Sequence, residues 1–165
     1  MNIYLIGMMG SGKSTVGKLL AKKMKMPFVD LDHYIEVKNN KSISDIFKEN
    51  GESHFRILES KALRHMEDFT VIVACSGGIV LSEENRKFLN ASGKVVMLQA
   101  SLNELANRLH NAIDRPLLQN KERVQELTKI WNKRKDHYLS TAHLSVDADQ
   151  TPEAVSSQII QQIQS

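Results

Sequence analysis

The sequence predicts an α/β domain built on a parallel sheet. Short β-branched runs alternate with longer stretches of helical period, and the runs lack the clean apolar and polar alternation of a half-solvated strand. A glycine-rich turn separates the first run from the first helix. The elements follow in order. A strand is expected at 2–6 (NIYLI), then the glycine turn, then a helix at 14–23. A second strand at 27–31 (PFVDL) leads to helices at 42–50 and 52–66, separated by Gly51; Ser42 and Asp45 have capping-box spacing at the start of the first. A third strand at 70–75 (TVIVAC) runs into Ser76-Gly77-Gly78 and a helix at 82–90. The fourth strand, 94–99, precedes a helix at 101–110 whose Ser101 and Glu104 repeat the cap spacing. Pro116 interrupts helical continuation, so 111–121 reads as a long loop, either a lid or a surface connector. A helix at 122–139, a strand at 143–147 and a helix at 151–163 complete the chain, the last opened by Thr151 as cap and Pro152 at the first helical position.

The 165 residues suit one domain spanning 1–165 with one core, and 41% apolar against 25% charged residues excludes a disordered or fibrous chain. No apolar run approaches the roughly 20 residues a membrane span needs, and the opening residues lack a basic leader, so a cytoplasmic protein is expected. Cys75 is the single cysteine, which removes internal disulfides and zinc fingers. A net charge of +3 suits a small anionic ligand without calling for nucleic acid. The histidines are scattered and receive no role.

Gly7-Met8-Met9-Gly10-Ser11-Gly12-Lys13-Ser14 fits G-x-x-x-x-G-K-[ST], a loop whose backbone N–H groups wrap phosphate oxygens at a helix N-terminus. Lys13 would reach the β- and γ-phosphates and Ser14 would ligate Mg²⁺; ATP is the simplest guest. Without a guanine-reading N-K-x-D motif or a second catalytic module, a small-molecule kinase leads over a GTPase or motor. Asp30 and Asp32 end the second strand, where a spacing of two would set both carboxylates on one face, one for the metal and one for a substrate hydroxyl; the plainer alternative is a pair of turn aspartates capping the helix after the strand. The third strand ends in VACSGG with no acid, which leaves Asp30 to supply the metal. Arg56, Arg108, Arg115 and Arg134 stand in four segments and could converge on an anion, with Glu59 three residues after Arg56 to orient it; each taken alone reads more readily as a solvated helix arginine or a weak surface ion pair.

Taken together these residues resemble the shikimate kinases over nearly the whole chain. The resemblance is carried by GMMGSGKST at 7–15, DLDHYIE at 30–36, SISDIFKENGESHFRILE at 42–59, SGGIV at 76–80, RPLL at 115–118 and KRKDHY at 133–138. It implies a three-layer P-loop kinase fold of the nucleoside-monophosphate-kinase type, with strand order 2-3-1-4-5, substrate-binding helices at about 32–60 and a lid at about 111–121. The implied reaction moves the γ-phosphoryl of ATP to the 3-hydroxyl of shikimate, with Mg²⁺ as cofactor, in a monomer.

The resemblance also implies residue roles. Gly10, Ser11, Gly12, Lys13, Ser14 and Thr15 would hold the nucleotide phosphates, Arg108 would lie on the adenine side, and Ser14 with Asp30 would hold the metal. Asp32 would hold the substrate hydroxyls and act as base or orienter. Arg56 and Arg134 would grip the shikimate carboxylate, Glu59 would orient Arg56, and Gly77 and Gly78 would present backbone. Phe47, Phe55, Pro116 and Leu117 would line the ring pocket, and Arg115 would be the lid arginine on the γ-phosphate. Two departures from the family pattern are visible: Ser76 stands where the family usually has the first of three glycines, and Asp149-Gln150 stand where relatives often place a basic side chain beside the adenine.

Overall fold

The computed structural model describes residues 1–110 and 120–165. Five strands, β1 (Asn2–Ile6), β2 (Phe28–Asp30), β3 (Ile72–Ala74), β4 (Gly93–Gln99) and β5 (Leu144–Asp147), form one parallel sheet in the order β2-β3-β1-β4-β5. The helices are α1 (Lys13–Met24), α2 (Leu31–Asn39), α3 (Ile43–His65), α4 (Glu83–Ser92), α5 (Leu102–His110), α6 (Asn120–Thr141) and α7 (Pro152–Gln164).

The inner strands lack alternation because both their faces are dry. On β1, Tyr4 and Ile6 enter the core beneath α2 to α6, while Ile3 and Leu5 enter the one beneath α1 and α7. On β4, Val95 and Met97 divide from Val96 and Leu98 in the same way. Each such side chain, fully buried, contributes roughly 1.5–3 kcal/mol relative to exposure.

The cap readings hold. Ser42 accepts from the Asp45 N–H at 3.1 Å, Ser101 from that of Glu104 at 3.2 Å and Thr151 from that of Ala154 at 3.2 Å. The 42–50 and 52–66 helices run on as α3, with the break at Gly51, whose φ of 82° and ψ of 171° suit glycine alone.

Two expectations are corrected. The second strand stops at Asp30, and Leu31 opens α2, a helix absent from the element order read off the sequence. Asp30 and Asp32 therefore do not share a strand face: Asp30 caps α2 by accepting from the His33 N–H at 3.3 Å, and Asp32 lies in the helix's first turn.

Strand register aligns the site. Leu5, Asp30 and Ala74 lie level across β1, β2 and β3, so the chain leaves all three strands at one edge of the sheet. Gly7, Asp32 and Ser76 therefore emerge beside one another, beyond the carboxyl ends of the strands where open parallel sheets bind ligands.

Candidate active site

The phosphate-binding loop passes from β1 into α1 through Gly12, whose φ of 95° turns the chain so that the free N–H groups of α1 face the loop interior. Lys13 folds over the loop, its Nζ donating to the carbonyls of Gly7 at 2.8 Å and Met8 at 3.0 Å. Burial lowers its pKa to about 8, opposed by the nearby charges of Asp32 and Asp30. The Ser11 hydroxyl is buried in the same loop with no hydrogen-bond partner among the described residues. An orphaned donor among inward-facing N–H groups fits a phosphate oxygen.

Beside the loop, the Ser14 hydroxyl donates to Asp30 Oδ2. A hydroxyl and a carboxylate held together fit a hard cation that takes its other ligands from water and phosphate. Among the described residues no three His, Cys, Asp or Glu side chains gather into a metal cage, so these two oxygens are the protein's visible donor set for such an ion.

Asp32 lies deeper. Its Oδ1 accepts from the Ser76 hydroxyl at 2.6 Å. Burial and the neighbouring Asp30 raise its pKa, while the Ser76 hydrogen bond and Lys13 oppose the rise. Cys75, beneath the same loop, is pushed well up by burial and serves as core.

Arg56, on the second half of α3, donates through one terminal nitrogen to Glu59 at 2.9 Å and through the other to Glu52 at 3.3 Å. Glu59 is only 1% exposed; burial raises its pKa and Arg56 holds it down. The guanidinium rests against Gly78, where any Cβ would collide with it. Arg134, on α6, reaches the adjacent glycine: a Cβ on Gly77 would stand 3.6 Å from its terminal nitrogen. One turn along the same helix, the Tyr138 hydroxyl donates to the Gly77 carbonyl and fixes that peptide. Two guanidiniums from different helices thus converge on neighbouring glycines. Phe47 and Phe55 pack with ring centroids 4.9 Å apart, and the Arg56 guanidinium lies 5.2 Å from the Phe55 ring.

On the other side of the loop, a cleft of about 430 Å³ is lined by Ser11, Gly12, Thr15, Arg108, Gln150 and Pro152 among others. Arg108 donates to Glu104 at 2.9 Å, to the Gly10 carbonyl at 3.2 Å and to the Ala148 carbonyl at 2.5 Å, tying the phosphate loop to the β5–α7 turn. Asp149 accepts from the Ser101 N–H at 2.9 Å, and Gln150 donates to the Asp147 carbonyl at 2.9 Å. Both are engaged in holding that turn.

The structure therefore brings Gly10 to Ser14, Asp30, Asp32, Arg56, Glu59, Gly77, Gly78 and Arg134 together at the carboxyl ends of β1, β2 and β3, with Thr15 and Arg108 on the adjoining cleft. Arg115, Pro116 and Leu117 lie outside the described residues. Sequence reasoning passed over the Ser76 hydroxyl and the Tyr138 phenol. Tyr138 left a signal, since it follows Arg134 by four residues on one helix face.

This sheet order, with a phosphate loop leaving the central strand, defines a P-loop kinase. Deoxyadenosine kinase from M. mycoides shares the fold at 17% identity and a TM-score of 0.66. The chain belongs to the shikimate kinase family, whose model matches residues 9–164. The shikimate kinase of Sulfurihydrogenibium sp. strain YO3AOP1 is 42% identical over 98% of this chain and 97% of its own. That of Bacillus cereus strain G9842 is 41% identical over 88% and 87%. The structure of Acinetobacter baumannii shikimate kinase in complex with shikimate superposes with a TM-score of 0.91 at 34% identity, covering 99% of this chain and 92% of that one.

Proposed function

We propose that the protein transfers the γ-phosphoryl of ATP to the 3-hydroxyl of shikimate. The observation that carries this reading is the meeting of Arg56 and Arg134 at Gly77 and Gly78, with Asp32 across the loop. Two planar forks suit one carboxylate, and a carboxylate opposite them suits ring hydroxyls.

On this reading the Arg56 and Arg134 guanidiniums hold the substrate's carboxylate, with Glu59 fixing Arg56 and Tyr138 fixing the Gly77 peptide. Phe47 and Phe55 cover the ring. Asp32 accepts the hydrogen of the incoming hydroxyl and aims its oxygen at the γ-phosphorus. The loop N–H groups, the Ser11 hydroxyl and Lys13 hold the phosphates, and Lys13 stabilises charge on the transferring group. Bound Mg²⁺, held by Ser14 and through water by Asp30, would neutralise the β- and γ-oxygens. Thr15 and Arg108 border the cleft suited to the adenosine end. Arg115 takes the part of the lid arginine on sequence motif alone.

The test is a coupled ADP-release assay with ATP and Mg²⁺, offering shikimate against gluconate, AMP and CMP, and repeated with EDTA. Turnover with shikimate alone, abolished by EDTA, is expected; preference for a nucleotide acceptor would overturn the reading. We further propose a cytoplasmic monomer that acts without nucleic acid. Among the described residues no helix is long and apolar enough to cross a membrane.

A further inference from the structure

Ser76 follows Cys75 beyond the carboxyl end of β3, 5% exposed, beside two carboxylates, Asp32 and Glu59. On one side Asp32 Oδ1 takes its hydroxyl proton at 2.6 Å. On the other, the same hydroxyl faces Glu59, the buried acid that holds Arg56 at 2.9 Å. A serine hydroxyl carries a single proton, so it cannot donate to two ionised carboxylates at once. Arg56 decides the matter. Its guanidinium already serves Glu59, which leaves the Ser76 proton to Asp32. Glycine or alanine at this position would supply no donor, and Asp32 Oδ1 would lose its protein partner.

From this geometry we infer that Ser76 is a positioning residue for phosphoryl transfer: its hydroxyl engages Asp32 Oδ1, sets the plane of that carboxylate, and leaves Oδ2 as the oxygen that receives the acceptor hydroxyl. The inference deepens the shikimate kinase reading and rests on it. Orientation of the reacting oxygen acts in the transition state more than in the bound ground state, so the effect belongs to kcat. The nucleotide is held by other groups, so its KM is untouched.

The experiment compares Ser76→Ala and Ser76→Gly with wild type, and then adds Ser76→Ala to Asp32→Ala. Both single variants should lose about tenfold in kcat with shikimate, about 1.4 kcal/mol at 25 °C. KM for ATP should stay within twofold and the melting temperature within a few degrees. In the Asp32→Ala background, Ser76→Ala should change the residual kcat by less than twofold, because the side chain it positions is gone. A kcat within twofold of wild type in Ser76→Ala overturns the inference. So does an equal loss in both backgrounds, which would mean Ser76 acts independently of Asp32, and so does a loss confined to Ala and spared in Gly, which would blame the methyl group. Failure of wild type to phosphorylate shikimate would remove the underlying reading as well, and that outcome is distinct from an active wild type with unaffected variants.

Discussion

Replacing Lys13 by Met removes a buried cation while keeping most of its length, and so separates what the charge does for chemistry from what it does to the fold. Burial lowers the Lys13 ammonium from its usual 10.5 to about 8. Between those values the unfolded chain holds more protons than the folded one, so the Lys13 contribution makes wild-type stability rise with pH across this window. Integrating the linkage relation from pH 7 to 9.5 gives a gain of about 2 kcal/mol, an upper bound because the lysine stem is partly open to water. The Met variant has no such contribution. Urea unfolding of the nucleotide-free proteins in chelator should therefore show the wild-type-minus-variant difference moving by up to about 2 kcal/mol in favour of wild type between pH 7 and 9.5. Terms independent of pH, including the lost hydrogen bonds to the Gly7 and Met8 carbonyls, cancel in that comparison. Turnover of Lys13→Met should fall by about 10² or more, as expected for loss of a preorganised charge on the transferring group. A flat or opposite pH dependence would mean that the folded loop solvates this ammonium as well as water does, and the burial argument would fail.

Asp32→Asn should lower turnover by about 10² or more while calorimetry shows ATP binding retained, since the amide keeps the shape but cannot take the hydroxyl proton. Arg56→Ala and Arg134→Ala should both raise KM for shikimate with little change for ATP. Only Arg56→Ala should also destabilise the fold, by about 1–3 kcal/mol, because it strips the buried Glu59 of its guanidinium. With that carboxyl raised further, the penalty should shrink as the pH is lowered, because the folded state then takes up the proton more readily than the unfolded one. Gly51→Ala meets no neighbouring atom within 4 Å, so a fall in melting temperature equivalent to about 1–3 kcal/mol would measure backbone strain alone, and an unchanged melt would refute it. Arg115→Ala should lower kcat by about 10³ in the coupled assay, and a mild effect would assign the neutralising charge elsewhere.

Much of the site was legible because its parts are local. The phosphate loop is a contiguous motif, and the Arg56–Glu59 pair is an i,i+3 relation that any helix produces. The convergence of Arg134 on Gly77 was not derivable from spacing, since it depends on how α6 crosses the end of the sheet; it came from the family resemblance. The Asp30–Asp32 reading set both carboxylates beside the phosphate loop, where the structure has them, but by the wrong geometry. Period-two logic assumes a continuing strand, but Asp30 spends its carboxylate as helix cap and Ser14 partner, and the chain turns there. Helix α2 does not stand out in the periodicity because it starts at Leu31, directly after the three-residue β2; it was legible only through the family resemblance, which places helices from about 32, and through the alternative that the two aspartates cap a helix after the strand, a role Asp30 fills. Ser76 reads in sequence as a small turn residue; its donor role appears only when β2 and β3 pair and bring Asp32 across to it.

The central place of β1 also bears on how the protein is made. Its two edges pair with Ile72–Ala74 and Gly93–Met97, so an apolar strand must wait for about ninety further residues before both sides are covered. At the 5–20 residues per second of ribosomal synthesis that interval lasts about 5 to 20 s. Throughout it, the nascent chain carries a strand with at least one unpaired edge adjoining the future phosphate loop, open to pairing with other nascent chains. The site that handles the nucleotide is thus assembled late, and conditions that slow elongation between β1 and β4 should raise the aggregated fraction without altering the finished enzyme.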